Sequence, residues 1–193
     1  MKPVTVIGFL GSTLDASKFG PSRWNKWRPS VGLAMQPDLR VDRFIMMHSS
    51  RHQRLADQIA ADIAEVSPET RMDSRILDLE DPWDFEEVYG TLLDFARGEP
   101  FDPDAEDYLI HITTGTHVAQ ICLFLLTEAR YLPGRLLQTQ PSARSAEFAP
   151  GRWTTIDLDL SRYDSIATRF AVASAGSQSF LKSGTDTRNA RFN

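Results

Sequence analysis

The sequence predicts an α/β fold: a Rossmann-like three-layer sandwich with a mostly parallel, six-stranded sheet and one antiparallel strand at its edge. Three observations support this prediction. Strand-like and helix-like segments alternate along the 193 residues, most strand-like segments are almost continuously apolar, and the last one alternates apolar with polar residues. Continuous apolar runs are typical of parallel strands that are covered on both faces. The alternation of strands with helices favours a doubly wound sheet with right-handed crossovers.

Six segments have the composition of strands. The predicted strands are residues 4–10, 43–48, 75–79, 108–113, 135–138 and 154–160. The first four are expected to be buried on both faces of the sheet, because their apolar residues follow one another with few interruptions. In the last strand, three aliphatic residues alternate with one threonine and two aspartates. That pattern leaves one face in water and indicates an edge strand.

Two helices are predicted in the middle of the chain. Ser50 with Gln53 three residues later forms a capping-box pattern, and apolar residues recur at helical spacing up to residue 66. Asp81 followed by Pro82 predicts the start of the next helix, with Trp83 on its buried side and its end at residue 98.

Two further helices are predicted toward the end of the chain. Residues 116–132 are apolar around most of a helix circumference, so this helix is expected to be central or covered by a partner subunit. The last helix is expected to carry Phe170 and to end at Gly184. Residues 1–184 are therefore expected to form one domain, and residues 185–193, which have almost no apolar side chains, the start of a linker.

Charge and composition exclude several classes of protein. The chain has 21 lysines and arginines against 26 aspartates and glutamates, a net charge of -5, and no helix-turn-helix pattern. Direct DNA binding is therefore not expected. The single cysteine, Cys122, excludes an internal disulfide and suits a reducing cytoplasm. We see no targeting or membrane-spanning segment, which predicts a cytoplasmic protein without a membrane partner.

Small polar residues follow the first and the fourth predicted strand. In doubly wound folds these strand ends flank the crevice where ligands bind. Glycines allow a close approach of backbone to ligand, and free amides at a helix start attract anions. The expected ligand-binding residues in these two turns are Gly11, Ser12, Thr13, Thr113, Thr114, Gly115, Thr116 and His117. An alternative for Thr114 or Thr116 is a purely structural role as the cap of the following helix. Neither turn has the glycine pattern of a Walker loop or of a dinucleotide-binding fold.

Two other segments contribute candidate residues. The loop after the first strand carries Lys18 and Arg23 between aromatic residues, a pattern that suits a nucleotide or a single-stranded RNA end. Alternatively, the tryptophans of this loop pack it onto the sheet. His48, Ser49 and Arg51 close the second strand and are expected to form a third wall of the same pocket. His111 lies inside a strand and is expected to be a core residue, and no histidine spacing predicts a metal site.

Four stretches resemble the RtcR family of transcriptional regulators. They are residues 6–15 (VIGFLGSTLD), 81–90 (DPWDFEEVYG), 111–120 (HITTGTHVAQ) and 180–184 (FLKSG). The resemblance covers almost the whole chain. It implies a CARF domain (CRISPR-associated Rossmann fold), with ligand loops at residues 11–13 and 113–117. It also implies that the AAA+ ATPase, with its ATP and magnesium, and a helix-turn-helix domain lie outside this chain.

The resemblance further implies a function. Members of the family are activators that work with the alternative sigma factor sigma-N and control RNA repair genes. The expected ligand is RNA with a 2′,3′-cyclic phosphate end or a cyclic oligonucleotide, bound by a homodimer of CARF domains that controls its own AAA+ domain. We expect no enzymatic activity and no cofactor in this domain. The alternative is a CARF domain that slowly cleaves cyclic oligoadenylate without a metal ion.

Overall fold

The computed structural model describes residues 2–16, 20–142 and 150–156. These residues form a six-stranded sheet with four α-helices. The strands are β1 (Val4–Phe9), β2 (Arg43–His48), β3 (Arg71–Ile76), β4 (Asp107–His111), β5 (Arg135–Gln140) and β6 (Arg152–Ile156). The helices are α1 (Pro29–Ala34), α2 (Gln53–Val66), α3 (Phe85–Gly98) and α4 (His117–Glu128), with short 3-10 turns at Pro21–Asn25 and Ser50–His52.

The strand order in the sheet is β3-β2-β1-β4-β5-β6. Strands β1 to β5 run parallel to one another. Strand β6 pairs with β5 in the antiparallel sense, with Ile156 opposite Leu136. The predicted fold class is therefore confirmed. The chain leaves β1 toward β2 and later returns to place β4 on the other side of β1, so the strand order reverses between β1 and β4.

Each face of the sheet is covered by a pair of helices. Val6, paired with Phe44 and Leu109, belongs to a buried cluster that includes residues of α1 and α2. The next residue, Ile7, is also fully buried and points to the opposite face, because side chains alternate along a strand. Helices α3 and α4 pack against each other. Right-handed crossovers place them on the face opposite to α1 and α2, because the chain moves across the sheet in the other direction.

The prediction for the third strand is wrong in position and in environment. The strand spans residues 71–76 instead of 75–79, and it lies at an edge of the sheet, where none of its residues is fully buried. The apolar residues that suggested a buried strand, Leu77 and Leu79, lie in the loop that follows and line a cavity. An edge strand needs only one apolar face, so charged residues such as Arg71 and Arg75 are accommodated on it.

The predicted starts of two helices are also wrong. Asp84, not Asp81, caps α3, and its carboxylate accepts the amide of Glu87 at 2.8 Å. Trp83 therefore precedes the helix and is 61% exposed instead of buried. Before α2, the amide of Ser50 donates to Asp78 Oδ1 at 2.7 Å, and the helix begins only after a 3-10 turn. A nearby carboxylate has replaced the predicted side-chain cap in that turn.

The described part of the long loop after β1 has secondary structure that the sequence did not predict. It contains a 3-10 turn and α1, and Trp27 Nε1 donates to the carbonyl of Pro150 at 3.1 Å. Trp24 packs against the buried cluster under α1 and α2. The alternative in which the tryptophans pack this loop is therefore confirmed. No helix of the described residues is long and apolar enough to cross a membrane. The predicted final helix and the predicted linker lie outside the described residues.

Candidate ligand-binding site

A cavity of about 290 Å³ opens at the carboxyl ends of β1, β2 and β4, next to the reversal of strand order. It is lined by Phe9, Leu10, Gly11, Ser12, Thr13, Leu14, His48, Ser49, Arg51, His52, Leu77, Leu79, Pro82, Trp83, Thr114, Gly115, Thr116 and Ala119. Among residues 2–16, 20–142 and 150–156, no carboxylate lines the cavity, although the whole chain has a net charge of -5. The lining combines aliphatic and aromatic surface with one arginine and two histidines.

A buried carboxylate holds the loop after β1 in place. Asp15 is fully buried, and its Oδ2 accepts the amide of Gly11 at 2.9 Å and the hydroxyl of Ser30 at 2.8 Å. Its Oδ1 accepts the amide of Ser30 at 2.9 Å. Burial raises the pKa of Asp15, and the hydrogen bonds from Ser30 and Gly11 oppose that rise. The Gly11 amide is thus already used, and Ser12 and Thr13 remain exposed at the cavity.

Gly11 is required for close packing between the loop after β1 and the turn after β4. A Cβ atom at this position would lie 2.9 Å from Asp15 Oδ2 and 2.9 Å from the methyl group of Thr114. On the outer side of the loop, the ammonium group of Lys26 donates to the carbonyls of Thr13 and Ala16, at 3.1 and 2.6 Å. The buried carboxylate of Asp15 and the ammonium group of Lys26 therefore hold the loop on its two sides.

The hydroxyl groups after β4 are used to build the site. Thr114 is buried, and its hydroxyl donates to the carbonyl of Phe9 at 2.5 Å, which ties the end of β4 to the end of β1. The hydroxyl of Thr116 donates to the carbonyl of Pro82 at 2.9 Å and accepts the amide of Ala119 at 3.1 Å. Thr116 is therefore the cap of α4, as the structural alternative predicted. Gly115 between them has φ +93°, a conformation that favours glycine.

The segment after β2 carries the titratable groups of the cavity. His48 Nδ1 donates to the carbonyl of Ser49 at 3.0 Å, and its Nε2 is hydrogen bonded to Ser74 Oγ at 2.5 Å. Ser49 Oγ lies 3.0 Å from His52 Nδ1. Burial lowers the pKa of His52, and the charge of Arg51 and the nearby His48 lower it further. His52 is therefore mainly neutral at pH 7.

Arg51 is the cationic group of the cavity wall. Its side chain is exposed, and it makes no hydrogen bond or ion pair within the described ranges 2–16, 20–142 and 150–156. The arginines of the loop after β1 differ in this respect: Arg23 Nε lies 2.9 Å from Asp62 Oδ1, and Arg28 pairs with the other oxygen of the same carboxylate. Arg51 thus has its guanidinium available for an anion.

Comparison with known proteins assigns the family. The profile of RtcR, described as regulator of RNA terminal phosphate cyclase, matches residues 2–184. The transcriptional regulatory protein RtcR of Escherichia coli K12 is 53% identical over 194 residues, covering 100% of this chain. The chain belongs to the RtcR family. It spans 36% of the length of that relative.

One solved structure supports the fold of this RtcR-family chain. Enterococcus italicus Csm6, bound to cyclic hexa-2′-fluoro-hexa-dAMP, superimposes with a TM-score of 0.61 at 14% identity, over 86% of this chain and 45% of Csm6. Can2 from Sulfobacillus thermosulfidooxidans, in complex with cyclic tetra-adenylate, gives a TM-score of 0.48 at 13% identity, over 71% of this chain and 32% of Can2. At this level of identity the similarity to Csm6 concerns the fold alone.

The structure brings most of the predicted site residues of this RtcR-family chain together. The cavity lining includes Gly11, Ser12, Thr13, His48, Ser49, Arg51, Thr114, Gly115 and Thr116. Three predicted residues lie elsewhere. Arg23 forms ion pairs with Asp62 and Glu65. The hydroxyl of Thr113 accepts the backbone amide of Thr139 at 2.7 Å. His117 is exposed beside the ring of Trp83. Lys18 lies outside the described residues.

Four cavity residues that follow β3 were not predicted as site residues. Leu77, Leu79, Pro82 and Trp83 line the cavity because the loop from β3 to α3 folds over the carboxyl end of the sheet. The sequence analysis had assigned these residues to a predicted strand and to the start of a predicted helix. The available signal was the Asp-Pro-Trp-Asp sequence, which places an aromatic residue between two aspartates.

One expectation about a histidine is confirmed. His111 is a core residue, as predicted: it is fully buried, and its Nε2 is hydrogen bonded to Thr139 at 2.9 Å. Burial lowers the pKa of His111 to about 4. No group of three histidine, cysteine, aspartate or glutamate side chains is arranged to hold a metal ion within the part of the chain that the structure describes.

Proposed function

We propose that this chain is the ligand-sensing domain of a longer transcriptional regulator and that it binds the end of an RNA carrying a 2′,3′-cyclic phosphate. One observation carries the proposal. A protein with a net charge of -5 has, at the reversal point of its sheet, a cavity that no carboxylate of the described residues lines, and among those residues Arg51 has no ionic partner. Such a cavity favours an anionic ligand.

The groups around the cavity suit a phosphate with an organic part. Arg51 supplies charge-assisted hydrogen bonds, and the amino end of α4, a helix of twelve residues, adds a positive dipole end at Gly115 and Thr116. Exposed hydroxyls at Ser12 and Thr13 add donors. A volume of about 290 Å³ is at the lower end for small-molecule sites, which favours one terminal nucleotide over a longer stretch of RNA.

In this proposal the ligand acts by shifting the domain between two states. The chain spans 36% of the length of its Escherichia coli relative, which leaves room for the AAA+ ATPase that the RtcR family resemblance implies. A ligand changes such an equilibrium only by as much as it prefers one state over the other. The loops at residues 11–15 and 114–116 are joined through Thr114 and Phe9, so a ligand in the cavity touches both at once.

We further propose a homodimer that forms through α4. Ile121 and Leu125 on this helix are 51% and 37% exposed, and the helix is apolar around most of its circumference. Apolar side chains on an exposed helix face favour a protein partner. Sedimentation of the chain should show a dimer that Ile121→Asp converts to a monomer, and a wild-type monomer at all concentrations tested would exclude this contact.

The test of ligand identity uses short RNAs that share one sequence and differ only at the 3′ end, with a cyclic phosphate, a linear phosphate or a hydroxyl. Cyclic oligoadenylates are measured alongside. We expect the cyclic phosphate end to bind most tightly and Arg51→Ala to weaken it by about tenfold or more, because one charge-assisted bond contributes about 1.5–3 kcal/mol. Arg40→Ala is the matched control, since Arg40 is exposed and pairs with Asp42 at 2.9 Å, outside the cavity lining.

Three results would contradict the proposal. Equal affinity for all three RNA ends would show that the domain does not recognise the terminal phosphate. Binding of cyclic oligoadenylate alone would replace the RNA end by a ring-shaped ligand. An equal effect of Arg40→Ala and Arg51→Ala would show general charge attraction instead of a site.

A second candidate function is slow, metal-independent cleavage of cyclic oligoadenylate, and one observation favours it. Ser49 Oγ and His52 Nδ1 lie 3.0 Å apart in the cavity lining, and His52 has a lowered pKa that suits a base. In this reaction His52 accepts the proton of a ribose 2′-hydroxyl. The 2′-oxygen then attacks the adjacent phosphorus and forms a 2′,3′-cyclic phosphate. The bond between phosphorus and the 5′-oxygen breaks, and the 5′-oxygen takes up a proton from water. Turnover of a labelled ring that His52→Ala abolishes would establish the activity, whereas an intact ring after long incubation would exclude it.

A further inference from the structure

Trp83 is an exposed tryptophan on the rim of the cavity. It is 61% exposed and also lines the cavity, together with the neighbouring Pro82. Exposed indole surface of this size is characteristic of binding surfaces, because the ring has a large apolar area that water solvates poorly. Trp83 therefore offers flat apolar surface to a ligand at a cavity that no carboxylate of the described residues lines.

The backbone around Trp83 is held firmly. The amide of Trp83 donates to Asp81 Oδ1 at 2.9 Å, and the carbonyl of Pro82 accepts the hydroxyl of Thr116 at 2.9 Å. The carboxylate of Glu87 accepts the amide of Asp81 at 2.9 Å. The turn is thus tied both to α3 and to the cap of α4. A side chain on a turn fixed in this way is preorganised for a partner.

One edge contact steadies the indole ring. The rings of Trp83 and His117 are 6.5 Å apart between centroids and meet at 65°, an edge-to-face arrangement. Within residues 2–16, 20–142 and 150–156 no other ring contact of Trp83 is formed. An edge contact of this kind leaves area of the ring available for a flat partner.

We propose that Trp83 stacks on the base of the nucleotide that carries the terminal cyclic phosphate, so that the cavity recognises one phosphate and one base. This inference rests on the proposed function. The cyclic phosphate lies on the 3′-terminal nucleotide, and Arg51 and Trp83 line the same cavity, whose volume suits one nucleotide. Stacking is available to every base and is stronger for purines, which have the larger π surface. Trp83 thereby makes the sensor prefer RNA ends with a terminal purine.

The experiment measures binding of the chain to five RNAs that all end in a 2′,3′-cyclic phosphate. Four differ in the terminal base, and the fifth has an abasic terminal ribose. We expect purine ends to bind best and the abasic end to bind about 5- to 150-fold more weakly, the range found for one base-aromatic stack. In Trp83→Ala, all four base-bearing RNAs should fall to the affinity of the abasic RNA, which itself should not change. Trp83→Phe should keep part of the preference.

The matched control is Phe85→Ala. Phe85 is 45% exposed and stacks on Tyr89, but it does not line the cavity. This variant should keep the dependence on the terminal base. Trp83 is mostly exposed, so its replacement leaves the core intact, and a thermal melt of each variant checks the fold.

The possible failures of the two proposals are distinguishable. If wild type binds the abasic RNA as tightly as the others, or if Trp83→Ala weakens the abasic RNA equally, Trp83 does not read a base, and the phosphate preference stands. If Trp83→Ala acts only by changing sedimentation, the ring contacts a second copy of the chain, and the inference is wrong. If base preference persists but cyclic phosphate and hydroxyl ends bind equally, the proposed function fails. Absence of binding to all five RNAs contradicts both.

Discussion

Replacing Thr114 by valine removes one hydroxyl group and keeps the shape of the side chain. In the structure this hydroxyl donates to the carbonyl of Phe9 at 2.5 Å, and Thr114 is only 1% exposed. Valine would therefore leave a buried carbonyl without this donor. The cost of such a loss is about 1–3 kcal/mol. With a central value of about 2 kcal/mol, Tm should fall by about 4–8 °C for a chain of this length.

Thermal and urea unfolding of the ligand-free chain measure this effect. Thr13→Val is the matched control, because it makes the same chemical change at an exposed threonine of the opposite loop. We expect its free energy of unfolding to stay within about 0.5 kcal/mol of wild type, as for most surface substitutions. The comparison isolates the buried hydrogen bond from the general effect of exchanging threonine for valine.

The reasoning would be refuted if Thr114→Val unfolded at the wild-type temperature. A hydroxyl that served the ligand instead of the fold would give a different pattern: unchanged Tm and weaker RNA binding. Equal destabilisation by Thr13→Val would show that the cost comes from the side chain and not from its burial. The prediction therefore distinguishes the two roles that the sequence left open for Thr114.

Three further predictions concern pH and backbone geometry. Burial lowers the pKa of His111 to about 4, so below its ordinary pKa of 6.5 the unfolded chain takes up the proton first. The free energy of unfolding should fall from pH 6.5 to pH 4 by at most about 3 kcal/mol, and urea titrations of His111→Gln should lack this component. Gly115→Ala should lower stability by about 1–2 kcal/mol because φ is +93° and the new Cβ would lie 3.3 Å from that of Phe9; a Tm equal to wild type would contradict this. RNA-end affinity should rise as the pH falls below 6.5, because His52, whose pKa is lowered, then gains a charge next to Arg51; His52→Gln should abolish the rise in binding titrations.

Sequence patterns over a few neighbouring residues correctly predicted the strands and helices whose burial is uniform along their length. The continuous apolar run at residues 4–10 placed β1 within one residue, and Thr116 was recognised as a possible cap for α4. Both inferences depend only on neighbours in the chain. The prediction of β3 was wrong because its environment changes along the chain. The strand lies at the edge of the sheet and the loop after it lines the cavity, and distant segments decide which residues of each are buried.

The candidate site shows the same division. The sequence located the turns after β1, β2 and β4, because small and polar residues at strand ends are visible in one dimension. The prediction for the loop cations was too broad. Arginine often binds phosphate, but Arg23 forms an ion pair with Asp62, 39 positions away in the chain. Arg51 differs from Arg23 in lacking an ion-pair partner within the described residues, and a partner from a distant segment cannot be read from neighbouring positions.

The sequence by itself determined the fold class, the family and the edge of the sheet where a ligand can bind, because hydrophobic periodicity and strand-end motifs are local properties of the chain. Only the tertiary structure decided what each polar group does. Asp15, Thr114 and Thr116 are consumed by hydrogen bonds that hold the cavity, whereas Arg51 and Trp83 face it. The physical reason is that burial and pairing arise between segments far apart in sequence, and a hydroxyl or a charge is available to a ligand only when the fold has not already satisfied it.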